Sequence, residues 1–133
     1  MRSVAAVLAG FVTLSVLLYA IQSAGTALLL RMNPDLSATT SIVNYSLATR
    51  LFWLTWETTS MVAAGYVTAR LASSSHIAHA IVMGAIQAAV TVWAMLSIQS
   101  GEPMWFWLTG IALMIPAAWL GGRLRSASLR PPS

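Results

Sequence analysis

Long apolar runs separated by short polar segments dominate the pattern of this chain. From Ser3 to Leu30 there are twenty-eight consecutive residues without a charge, and three further apolar runs follow. About 20 apolar residues are enough to cross the hydrocarbon core of a bilayer. Because a spanning segment must satisfy its backbone hydrogen bonds internally, each run is predicted to be a helix. The predicted spans cover about 4–30, 51–72, 77–99 and 104–122.

Turn-forming residues lie between the predicted spans. These segments are Asn33-Pro34-Asp35, Ser73-Ser74-Ser75 and Gly101-Glu102-Pro103. The first run is longer than the apolar core of about 7–15 residues in a signal peptide, so we interpret it as a span. The sequence thus predicts one membrane domain over residues 1–133, an all-α, four-helix transmembrane bundle. Residues 123–133 form its predicted cytoplasmic tail.

The composition agrees with a protein surrounded by lipid. Of its 133 residues, 58% are apolar and 8% are charged, against about 25% charged in soluble domains. The absence of cysteine excludes disulfides, thiolate metal sites and cysteine nucleophiles. The arginines are scattered singly near span ends and form no cluster with aromatics, so we expect no nucleic-acid partner despite a pI near 10.8. The expected partner is the lipid bilayer.

The arginines also predict the orientation of the spans. Two of them, Arg31 and Arg50, fall on the side opposite the N-terminus. The other five are Arg2, Arg70, Arg123, Arg125 and Arg130, all on the N-terminal side. The positive-inside rule then places both termini in the cytoplasm, and we expect a multi-pass protein of the bacterial inner membrane. Trp53, Trp105 and Trp107 fall near the outer interface, as in an aromatic belt.

Glu57 is an acidic residue inside the second predicted span. It lies seven residues from Arg50, or about 10 Å deep at 1.5 Å per residue. Insertion scales give a free-energy cost of about 2.5–3.5 kcal/mol for Asp at the centre of a membrane helix. A carboxyl group at such a depth should therefore face the bundle interior or a water-filled cavity. Two interpretations remain open. Glu57 is a proton or cation site, or it is a protonated carboxyl that is hydrogen-bonded to a neighbouring helix.

Polar residues of the first and third spans are expected to approach Glu57. Tyr19 and Gln22 lie on one face of the first span, together with Ser15 and Thr26. The amide of Gln87, in the third span, falls at a depth similar to that of Glu57, which predicts a hydrogen bond between them. The candidate intramembrane polar site therefore consists of Glu57, Gln87, Gln22 and Tyr19. The same pattern is also typical of ordinary helix packing.

A stripe of small residues in the third span predicts a packing face. Ala80, Gly84 and Ala88 recur every four residues, which lets two helix backbones approach closely. The partner is either another helix of this chain or a second copy in a homodimer.

The residues do not favour an enzyme, a metal or another cofactor. His76 and His79 are three residues apart, but no Cys, Asp or Glu on their side of the membrane completes a metal site. The chain has no G-x-S-x-G motif and no pair of carboxylates at a usable spacing. We therefore predict no catalytic residues.

Several segments resemble those of small bacterial four-span membrane proteins, which are mostly uncharacterised. These segments are Gly65–Ala72, His79-Ala80, Gly84, Pro103–Trp105 and Ile115–Arg125. The resemblance covers about the last half of the chain and implies a topology rather than an activity. Chain length and span number are also similar to those of small multidrug-resistance transporters. In that family the membrane glutamate belongs to the first helix, whereas Glu57 belongs to the second.

Two classes of function follow from these observations. The first expectation is a small structural or accessory membrane protein that works by helix packing with a membrane-protein partner or with itself. The alternative is a small proton- or cation-linked transporter that uses Glu57.

Overall fold

The computed structural model describes residues 2–32, 46–98 and 101–129. These residues form four α-helices and no β-strand, which confirms the all-α prediction. The helices are α1 (Arg2–Met32), α2 (Leu47–Leu71), α3 (His76–Ser97) and α4 (Met104–Ala127). Helix α4 continues beyond the predicted span end at 122 into the predicted tail. The predicted turn Asn33-Pro34-Asp35 and residues 130–133 of the tail lie outside the described residues.

Three of the described helices are long and apolar enough to cross a membrane, which indicates a membrane protein. They are α1, over Ser3–Leu28, and the whole of α3 and α4. Helix α2 is less apolar than these three and packs against each of them. The least apolar described helix is therefore also the one that the others shield most.

Contacts at glycines give the direction of each helix. Gly10 of α1 packs against Thr68, near the end of α2, and Gly25 packs against Trp53, near its start, so α1 and α2 are antiparallel. Corresponding contacts make α2 parallel to α4 and α3 antiparallel to α4. Residues 2 and 129 therefore lie at the same end of the bundle. Within the described residues, α1 has no contact with α4.

Small residues hold α2, α3 and α4 at short separation. A Cβ atom built on Gly121 would collide with the carbonyl oxygen of Val62, and one on Gly65 would collide with that of Ala118. These contacts involve backbone atoms, so the helices could not keep their separation with larger residues. Close approach of α2 and α4 therefore depends on the two glycines.

The small-residue stripe of α3 packs inside the chain. Ala80 is fully buried, and a Cβ on Gly84 would lie 2.7 Å from that of Ala118 in α4. Ala88 is partly buried against the same core. The stripe is thus an intramolecular face, and the homodimer alternative for it is wrong because α4 already covers it.

Hydroxyl groups of α2 bond largely to the helix itself. Thr55, Thr58 and Thr59 each donate to the carbonyl four residues earlier, at 2.7–2.8 Å. The buried Thr68 does the same at 2.9 Å. Ser60 is an exception, because its buried hydroxyl has no partner among the described residues. Self-bonded hydroxyls lower the cost of burying a helix that is rich in threonine.

We expect Gly121→Ala to destabilise the protein by about 1–3 kcal/mol, because the added methyl group meets backbone atoms of α2. The matched control is Gly110→Ala in the same helix, where the nearest atom to a new Cβ is 3.5 Å away. Unfolding of both variants in mild detergent measures the difference. Equal stability of the two variants would contradict this packing.

We expect Ser75→Gly to stabilise the protein by about 0.5–1 kcal/mol. Ser75 has φ 48°, in the left-handed region that favours glycine, and its side chain makes no capping hydrogen bond. Ser74→Gly is the control, because Ser74 does not have a positive φ and glycine there adds only flexibility. Thermal unfolding of the two variants should shift in opposite directions.

Candidate functional site

Glu57 lies on the wall of a partly open cavity of about 350 Å³ between the helices. The cavity occupies the half of the bundle where α2 and α4 begin, away from residues 2 and 129. Side chains from each of the four described helices, and from the linker before α4, contribute to its lining. The lining residues are Leu18, Gln22, Trp53, Glu57, Thr91, Glu102, Phe106, Trp107 and Gly110.

The carboxyl group of Glu57 is partly buried and lies beside α4. A Cβ atom on Gly110 would lie 3.5 Å from Oε2 of Glu57, so the glycine leaves room for the carboxyl group. No hydrogen bond or ion pair to Glu57 occurs within the described structure. An acidic group inside the bundle is therefore available to bind something else.

The structure does not contain the predicted hydrogen bond between Gln87 and Glu57. The Gln87 amide instead donates to the hydroxyl of Thr91, one turn further along α3, at 3.5 Å. Counting residues gave the depth of Gln87 but not the direction in which its side chain points. Thr91 lines the cavity, so α3 contributes this hydroxyl group rather than the predicted amide.

The two polar residues predicted from α1 have different locations. Gln22 lines the same cavity as Glu57. Tyr19 is 76% exposed and lies on the outer side of α1, so it does not join Glu57. Of the residues that periodicity places on this face of α1, Gln22 therefore reaches the cavity of Glu57 and Tyr19 does not.

An ion pair closes one side of the cavity. Nε of Arg50, in the first turn of α2, donates to Oε2 of Glu102 at 2.7 Å. The two side chains are only 15% and 9% exposed. The sequence placed both residues on the same side of the membrane, and their opposite charges were the signal for a pair. Sequence reasoning missed that Glu102 reaches the cavity.

Three aromatic side chains give the cavity an apolar, electron-rich wall. Trp53 comes from α2, whereas Phe106 and Trp107 come from the first turn of α4. The indole N–H of Trp53 is buried and has no hydrogen-bond partner among the described residues. Aromatic faces attract cations, most strongly where water is excluded. Two of the three tryptophans that were expected in an interfacial belt, Trp53 and Trp107, thus line the candidate site.

A carboxyl group, an amide, a hydroxyl group and aromatic faces together suit a cation. The carboxyl group supplies the negative charge, and the oxygens of Gln22 and Thr91 supply neutral ligands. Glu102 is already neutralised by Arg50. The described part of the chain contains no cluster of three His, Cys, Asp or Glu residues. The lining therefore favours weak, exchangeable binding of a singly charged cation or a proton.

No model of a known protein family, no curated protein and no solved structure matches this chain. The resemblance to small bacterial four-span proteins is therefore one of helix number and length, and it assigns no residue a role.

We expect Arg50→Ala to destabilise the protein by about 2 kcal/mol, between the values for exposed and buried ion pairs, because it removes the guanidinium group that bonds to the largely buried carboxylate of Glu102. Arg50→Ala combined with Glu102→Ala should recover part of that loss, since the buried carboxylate is then removed together with the guanidinium group. A double-mutant cycle from unfolding in detergent measures the interaction. Additive effects of the two substitutions on the free energy of unfolding would contradict an interaction between Arg50 and Glu102.

Proposed function

We propose that this chain is a four-span protein of the bacterial inner membrane with both termini in the cytoplasm. Helix α2 supplies the fourth span, since its 25 residues extend about 37 Å and it packs against three apolar helices. Arg70, Arg123 and Arg125 lie at the end of the bundle that holds residues 2 and 129. The positive-inside rule supports a cytoplasmic location for that end.

The proposed activity is transport of a proton or a small cation through the Glu57 site. The observation that carries it is the location of Glu57 on a cavity wall, without a hydrogen bond or ion pair in the described structure. The structural interpretation of Glu57 needs a hydrogen-bond partner on a neighbouring helix. No described residue supplies one. Ionisable residues inside membrane spans commonly mark ion pathways.

Competition between a proton and a cation for the carboxylate of Glu57 would couple the movement of the two ions. Ionised Glu57 attracts a cation, whereas protonated Glu57 is neutral and loses that attraction. A cation that enters the cavity therefore takes the place of the proton, and the proton leaves to solvent. The aromatic faces of Trp53 and Phe106 add attraction for the bound cation.

A structural or accessory role is the second candidate. The observation that favours it is the outer surface of α1, where Tyr19 is exposed on a helix apolar enough to span a membrane. A protein that works through helix packing would use such a surface. This role requires no movement of ions through the cavity.

We expect Glu57→Gln to lower cation-driven proton flux by about tenfold or more, because glutamine keeps the shape and the hydrogen-bonding capacity but not the charge. The assay uses liposomes that contain the protein and a pH-sensitive dye, with imposed gradients of Na⁺, K⁺ or tetramethylammonium. Helix content and thermal stability in detergent should stay unchanged.

Thr59→Val is the matched control, because Thr59 is two residues from Glu57 on α2, bonds to its own helix and does not line the cavity. Its flux should equal that of the unmodified protein. Flux that survives in Glu57→Gln, or that is absent from the unmodified protein with every ion, contradicts the proposed transport.

A further inference from the structure

Helix α1 carries an exposed polar surface in the half that lies near the cavity. It consists of Tyr19, Gln22, Ser23 and Thr26, hereafter the α1 polar face. The spacing i, i+3, i+4, i+7 places these residues on one side of the helix. With Ala27 and Leu30 they line a shallow groove on the outside of the bundle. This groove is separate from the Glu57 cavity, although Gln22 borders both.

The side chains of the α1 polar face have no hydrogen-bond partner in the described structure. Two hydroxyl groups earlier in the same helix behave differently. Thr13 donates to the carbonyl of Ala9 at 2.8 Å, and Ser15 donates to that of Phe11 at 3.0 Å. The lack of partners is therefore a property of this face and not of every polar residue on α1.

Lipid cannot supply the missing partners. The apolar stretch of α1 extends to Leu28, so Gln22 lies about 9 Å and Tyr19 about 14 Å inside it at 1.5 Å per residue. Hydrocarbon offers neither donors nor acceptors to an amide at that depth. Polar residues in such positions normally contact another helix.

We infer that the α1 polar face binds the same face of a second copy of this chain. Each of its four side chains both donates and accepts hydrogen bonds, and none is charged. The face is therefore complementary to itself across a two-fold axis, where Gln22 can meet Gln22 of the other copy. A different partner would need a matching polar stripe of its own, whereas the second copy already has one.

The position of α1 in the bundle permits this contact. Helix α1 packs against α2 and α3, and no described helix covers its outer side. The apolar positions Val4, Leu8, Val12 and Val16 continue the same exposed side toward the other end of the helix. The small-residue stripe of α3 is not available, because α4 covers it.

The test uses disulfide crosslinking, since the chain contains no cysteine of its own. Ser23→Cys and Thr26→Cys are made separately in the full chain and oxidised in native membranes. The control is Val90→Cys on α3, which is 42% exposed and lies next to Thr91 of the cavity wall, at the level of Gln22. We expect several-fold more crosslinked dimer at positions 23 and 26 than at position 90.

A second variant separates a specific contact from chance collision. Gln22→Leu added to Ser23→Cys should lower the crosslinked fraction several-fold, whereas Val92→Leu, on the exposed surface of α3, should leave it unchanged. Copies with two different tags should copurify in mild detergent, and less so after Gln22→Leu. Thermal stability of each variant shows that the monomer is still folded.

Three results would overturn the inference. They are equal crosslinking at positions 23 and 90, copurification of the two tags without crosslinking at either position 23 or 26, and crosslinking of position 23 to a different membrane protein in place of a second copy. The inference does not depend on ion transport, because none of these measurements involves flux.

Discussion

The structure depends on one constraint: the hydrocarbon of a bilayer offers no hydrogen-bond partner, so polar groups must find partners within the protein. Threonine hydroxyls on α1 and α2 meet this constraint by donating to backbone carbonyls of their own helix. The glycine contacts of Gly65 and Gly121 bring α2 close to α4, and α1 and α3 also pack against α2. The most polar described helix therefore packs against each of the other three.

Glu57 and the α1 polar face are exceptions, because their polar groups lack hydrogen-bond partners in the described structure. Each exception supports a function. Glu57 is an acid on a cavity wall, lined by groups that suit a cation, and it lacks a partner among the described residues. The α1 polar face lacks partners on the outside of the bundle. The first feature supports a role in moving ions, and the second supports association with another chain. Gln22 borders both regions, so binding at one could influence the other.

The sequence predicted the number of described helices, most of their limits and the position of one acid, Glu57, within the second helix, because long apolar runs and a single acid within one of them are strong signals. It did not predict side-chain directions. Counting residues from the span ends placed Gln87 at the depth of Glu57, yet the Gln87 amide donates a hydrogen bond to Thr91 instead. Periodicity grouped Tyr19 with Gln22, although α1 turns its tyrosine away from the bundle. Spacing identifies a helix face, but only the packing of neighbouring helices decides what that face contacts.

Infrared difference spectroscopy of the protein in lipid nanodiscs tests the central claim most directly. Adding tetramethylammonium or K⁺ should remove the signal of one protonated carboxyl group as the cation takes the place of the proton at Glu57. The change should be absent from a protein with glutamine at position 57. A carboxyl signal that no cation alters, or an identical change in that variant, would contradict the account.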